Sequence, residues 1–171
     1  MNKEQLGGMW DHFRTINGIT MRAIQAVPKD KIELRPVRDM RTPKELVAHM
    51  YGIMKSITEG VAAGAITSDE KAESGAGIKT HDDLVRFASE NWKAADKAFQ
   101  SLNDAQIASM VKTPWGKDFP GHVCVNIIYD EHLHHRGQLY AYLRQMGVEP
   151  PFMWDFENNA PEFQQKTTQS A

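Results

Sequence analysis

The stretch 121–146 keeps one apolar face in step with the α-helical turn along its whole length, and a chain carrying it must fold around it. At roughly 100° per residue, Cys124, Ile128, Glu131, His135, Leu139, Tyr142 and Met146 fall within one face about 80° wide. Most of these suit an apolar core. Glu131 and His135 do not, unless they are paired or bound to something. Pro120-Gly121 opens the stretch, and Gly147 stands where a left-handed cap would close it, with Pro150-Pro151 beyond.

Three further segments carry helical periodicity. The first covers 3–26, with Leu6, Met9, Trp10, Phe13, Ile16, Thr20 and Ile24 on its inner stripe and Pro28 as its stop. The second opens on Thr42-Pro43-Lys44-Glu45: a capping threonine, a proline suited to the first helical position, and a glutamate that completes a capping box. It continues through Leu46, His49, Met50, Ile53 and Ile57, with Gly60 and Gly64 as candidate stops. The third opens on Thr80-His81-Asp82-Asp83. Its expected inner stripe is Leu84, Phe87, Ala88, Ala94, Ala95, Ala98 and Leu102, and those alanines predict close helix packing rather than bulky knobs. Asn103-Asp104 break it. The stretch 110–116 reads as a short extended arm, 65–79 as a small, polar, mobile loop, and the aromatic run around PPFMWDF as a segment packing across the bundle or against a partner.

Long helices joined by modest loops make an all-α bundle in one domain, 1–163, with a flexible polar tail over 164–171. The net charge of −2 gives no attraction for nucleic acid or an anionic membrane surface. The single cysteine, Cys124, rules out an internal disulfide framework and reads as core. No window reaches the roughly 18 apolar residues of a membrane helix, and no signal-peptide core is present at the start, so a cytoplasmic protein is expected.

Glu131 and His135 are spaced i, i+4 and converge on one spot. A carboxylate and an imidazole meeting there can be two ligands of a metal site, and neutral imidazole with carboxylate suits zinc, iron, nickel or manganese. His49, at the flank of the second helix's stripe, is the natural third ligand. Such a set leaves coordination positions open for water or substrate. The spacing serves equally for a buried hydrogen bond between Glu131 and His135, and spacing alone leaves both readings open. His132 and His134 lie off the stripe, as solvent-facing or ligand-orienting residues. His12, His81 and His122 read as surface or loop residues, and Trp115 and Trp154 as packing groups.

The run His134-His135-Arg136-Gly137-Gln138-Leu139, with Tyr142-Leu143-Arg144 and Gly147 after it, resembles the signature of the DinB-like (YfiT) superfamily, and TPKELVAHMYGIM resembles that family's second helix. The resemblance implies an up-down-down-up four-helix bundle, commonly a homodimer, with one divalent metal ion between the second and fourth long helices. The family's usual pattern has histidines at i, i+4 on the last helix. Here the first falls on Glu131, as in a subgroup with Asp-Glu before the double histidine, here Asp130-Glu131. The resemblance and the helical face choose the same ligands: His49, Glu131 and His135. Characterised relatives use low-molecular-weight thiols, which implies a metal-dependent small-molecule enzyme, a thiol S-transferase or a hydrolase. The alternative is a non-catalytic, stress-associated metal-binding or structural bundle.

Overall fold

Thr42 sets where the second long helix begins: its hydroxyl accepts from the Glu45 amide at 3.2 Å, and Glu45 Oε2 accepts from the Thr42 amide at 2.8 Å. The same reciprocal box closes the starts of the first and third helices, at Asn2/Gln5 and Thr80/Asp83. The computed structural model describes residues 1–67 and 74–164. Within them the elements are α1 (Lys3–Gln25), α2 (Pro43–Ala63), α3 (His81–Ser101), α4 (Asp104–Ala108), β1 (Met110–Val111), β2 (Phe119–Pro120), α5 (Gly121–Gln145) and a closing 3₁₀ turn (Pro161–Phe163). The expected tail beyond Gln164 and the middle of the 65–79 loop lie outside the described residues.

Contacts between named ends fix the helix directions. Trp10 and Arg14 of α1 meet Asp96 of α3, and the Ile24 carbonyl meets His81, so α1 and α3 run antiparallel. Gly75, just before α3, sits against Ala48 near the start of α2, and Gln106, just after it, donates to the Ala62 carbonyl at the end of α2. Hence α2 and α3 run parallel. His49 faces His135, and Val61 faces Gly121, so α2 and α5 are antiparallel. The result is the up-down-down-up bundle expected, with α2 packed most extensively on α3 and α5.

One apolar core fills the bundle, built from Leu6, Phe13, Leu46, Met54, Leu84, Ile128 and Leu139 among others. The inner face of α3 differs from the expected stripe. It is His81, Leu84, Ala88, Trp92, Ala95 and Phe99. Trp92 and Phe99 are large knobs stacked on Trp10, with centroids 5.7 and 4.3 Å away. Phe87, Ala94 and Ala98 sit at the flanks instead, because exposed Lys93 and Lys97 lie on the outer side and turn the helix the other way.

Two other local expectations change. Gly60 is no stop: α2 runs to Ala63 and ends on Gly64 at φ 83°. A β-carbon on Gly60 would meet Ile66 Cγ1 at 2.5 Å, so this glycine is the seat of a buried isoleucine. With Ile78 also buried, the described ends of the 65–79 loop are anchored rather than loose. The arm at 110–116 is one side of a minimal hairpin, Met110 opposite Pro120 and Val111 opposite Phe119, led in by the capped turn of α4.

After Gly147, which caps α5 at φ 80°, the chain crosses back over α1. Asp155 takes an ion pair from Arg22 at 2.8 Å, Asn159 Nδ2 donates to the Thr15 carbonyl at 2.8 Å, and Phe163 is buried beside Trp92. Gly18 permits this: a β-carbon there would lie 2.5 Å from Asn159 Cγ and 2.6 Å from Phe163 Cβ. Residues 13–21 of α1 are consequently buried all round. Phe152, Met153 and Trp154 remain exposed on this segment.

Candidate metal centre

The antiparallel packing of α2 on α5 brings His49 opposite the turn that carries Glu131 and His135. One ligand atom from each of these residues lies within 4.8 Å of the others. His135 Nε2 is 3.1 Å from Glu131 Oε2, and His49 Nε2 is 3.8 Å from the same oxygen. The two imidazoles meet edge to face with centroids 4.9 Å apart. His135 is buried, His49 nearly so, and the Glu131 side chain is 42% exposed, so the cluster sits at the rim of the core with one side toward solvent.

Proton positions sharpen the picture. His135 Nδ1 donates to Gln138 Oε1 at 2.8 Å, and the Gln138 amide in turn donates to His134 Nε2 at 3.2 Å. Nε2 of the same ring faces the Glu131 carboxylate. At 3.1 Å this contact takes either a proton between ring and carboxylate or a metal cation that replaces it. His49 is pushed down to about 4 by burial, then by the charges of Arg41 and His135, with Glu131 opposing. It is therefore neutral at pH 7.

The residues fit a divalent ion. Donors about 2.1 Å from a tetrahedral centre stand about 3.4 Å from one another, and the spacings here straddle that value. Two imidazoles and one carboxylate are a borderline donor set with positions left over.

His132 lies elsewhere. It was expected to face solvent or to orient ligands; it is buried in the core facing α1. Thr20 Oγ1, which donates to the Ile16 carbonyl, accepts from its Nε2 at 2.8 Å. Phe13 and Tyr51 pack edge to face against its ring. Burial, followed by the charges of Arg136 and His135, lowers it to about 3 and keeps it neutral. The single-face reading missed this because α5 faces two neighbours: α2 with the Glu131/His135 face and α1 with Tyr129 and His132. His134 is exposed, as expected, and touches the site through Gln138 and edge to face against the His135 ring, centroids 4.8 Å apart. His81 is also buried, beneath Ile24, rather than on the surface. Cys124 is core, its thiol pushed up by burial.

Sequence reasoning overlooked Gln138 and Arg41. Gln138 stands three residues beyond His135, the spacing at which a side chain reaches back to orient a ligand. Together with Arg35, Asp39, Met40 and Arg41 it lines a cavity of about 410 Å³. Tyr142, whose hydroxyl donates to the Arg41 carbonyl at 2.9 Å, ties that loop to α5.

The sequence model of the DinB family matches residues 1–167. The chain belongs to the DinB family. Among DinB relatives, the uncharacterized protein YjoA of Bacillus subtilis (strain 168) is 21% identical over 144 residues, 82% of this chain and 91% of its own length. The crystal structure of that DinB-like protein superposes with a TM-score of 0.69 at 22% identity, covering 83% of this chain and 94% of the other. It shares the bundle. Like the helices described above, it offers this DinB-family chain a scaffold, and the donor set must be argued from the chain's own residues.

Proposed function

We propose that this DinB-family protein is a divalent-metal-dependent enzyme acting on small molecules, specifically a thiol S-transferase. His49, Glu131 and His135 hold the ion, with zinc, nickel, iron or manganese suited to the donors. The observation that carries the reading is the convergence of two imidazoles and a carboxylate from two helices at a half-open rim, one ligand atom of each within 4.8 Å of the others. When bound, such an ion lowers the pKa of a coordinated thiol and supplies a thiolate at neutral pH. The chain's own contribution is positional. Gln138 fixes the His135 tautomer, burial keeps His49 deprotonated, and the core behind them excludes water.

The same reading carries three further expectations: a small-molecule substrate rather than nucleic acid or membrane, a cytoplasmic setting, and a homodimer. No helix among the described residues is long and apolar enough to cross a membrane. The exposed Phe152-Met153-Trp154 run supports the homodimer, and a monomer mass by light scattering at all concentrations would remove it.

A second reading, a metal-bearing structural bundle without turnover, is favoured by one observation: the cluster joins α2 to α5 and so can serve as a fastener. Elemental analysis of untagged protein, alongside the His49→Ala and Glu131→Ala variants, tests the site. About one equivalent of metal, lost in both variants, is expected. No uptake of any of the four ions at neutral pH would refute both readings. Stoichiometric metal in a protein inert toward every thiol would leave only the fastener.

A further inference from the structure

Three arginines stand at every third position of the loop before α2: Arg35, Arg38 and Arg41. Two are engaged. Arg35 meets both Glu45 oxygens, at 3.2 and 3.1 Å, and also donates to the Met40 carbonyl. Arg38 pairs with Asp39 at 3.6 Å, both side chains almost fully exposed. The nearby Glu33 is taken by Lys44. Among the described residues Arg41 enters no ion pair. Arg41 lines the cavity of about 410 Å³ that shares Gln138 with His135. That size suits a small organic molecule. Arg41 is also near enough to His49 for its charge to oppose protonation there.

The backbone that carries Arg41 is held in place. Tyr142 clamps the Arg41 backbone, and Asp39 adopts φ 66°, a left-handed conformation that Asp and Asn tolerate better than other side chains. The cavity wall therefore carries Arg35 and Asp39, each paired with another residue, and Arg41, which has no ion pair among the described residues and whose guanidinium offers five N–H groups suited to a planar oxyanion.

We infer that Arg41 recognises a carboxylate on the thiol that this site takes, so that the cavity selects anionic thiols over neutral ones. This rests on the metal–thiol reading above and specifies its substrate class.

The test uses the full-length protein loaded with cobalt(II), whose thiolate charge-transfer absorption reports binding without turnover. 3-Mercaptopropionate and its neutral analogue 3-mercaptopropanol are titrated at fixed ionic strength. The carboxylate thiol should bind about tenfold tighter, as one charge-assisted contact allows. The preference should shrink with added salt, because Arg41 is exposed. Arg41→Gln should bring the ratio close to one while leaving cobalt stoichiometry and the affinity of the neutral thiol unchanged. Arg38→Gln should leave the ratio as it is, and Asp39→Asn should raise it. Equal affinities in the wild type, or a preference that survives Arg41→Gln, would overturn the inference and leave the thiol reading standing. A cobalt-loaded protein that shows no absorption with either thiol would overturn both.

Discussion

His135 donates from Nδ1 to Gln138 Oε1 across 2.8 Å, one turn further along α5. That bond decides which face of the imidazole is bare. Replacing Gln138 with Ala frees the ring to rotate and to change tautomer. The ligands stay, and so does the fold, since Gln138 is only partly buried. Metal affinity is expected to fall about 10–100-fold, read by competition against a chromophoric chelator, with the circular dichroism unchanged. An unaltered affinity would mean that Gln138 orients nothing.

Asp96 ties α1 to α3, accepting from Arg14 at 2.7 and 3.0 Å and from the Trp10 indole at 2.9 Å. Burial would raise its pKa, but the hydrogen bonds from Arg14 and Trp10 and the Arg14 charge outweigh this and hold it below the usual carboxylate range. A carboxylate depressed in the folded state stabilises fully above its unfolded pKa, near 4. That contribution is lost as the pH falls through the lower folded value. Wild-type stability in urea should therefore decline below about pH 4. Asp96→Asn should be less stable at pH 7 by about 2–3 kcal/mol, and the gap should narrow toward acid. A gap constant from pH 7 to pH 3 would contradict this.

Phe99 stacks on Trp10 at an interplanar angle of 7° and is 1% exposed. Phe99→Ala should cost about 3–5 kcal/mol, measured from denaturant midpoints at unchanged slope. Ala98→Gly, one residue away on the flank, should cost only the helix propensity difference, about 1 kcal/mol. Similar losses at the two sites would return α3 to the alanine register.

Arg136 is 9% exposed, its Nη1 has no hydrogen-bond partner, and among the described residues it enters no ion pair. Its guanidinium lies 5.9 Å from the centroid of the Tyr140 ring. A buried unpaired cation carries a desolvation penalty that an apolar side chain of similar shape avoids. Arg136→Met should raise the midpoint of thermal unfolding, by about 1–3 kcal/mol of added stability. A clear loss of stability would show that this guanidinium is held by groups other than those described.

How far the sequence revealed all this depends on how local each signal is. The starts of α2 and α3 were legible because a capping box needs only four adjacent residues, and Gly147 was legible as a left-handed cap for the same reason. The Glu131/His135 face was legible because one turn of one helix holds both residues. His132 was not: a stripe calculation assigns one inner face to each helix, whereas α5 buries a second face against α1. Trp92 and Phe99 were lost to a run of alanines with nearly the same period. The hairpin of β1 and β2, two residues a side, is too short to show strand alternation. Arg41 belongs to the site through a loop whose path depends on Tyr142, 101 residues away, and no window along the chain spans that.

The strap over Gly18 has a consequence for the order in which the molecule can be finished. Of the described helices α1 is synthesised first, yet its outer side is covered by Asn159 and Phe163, which follow all the other long helices. During synthesis α1 must wait with part of its surface open until residues 159–163 have emerged. Nascent chains halted before residue 159 are therefore the form in which this protein most needs a chaperone.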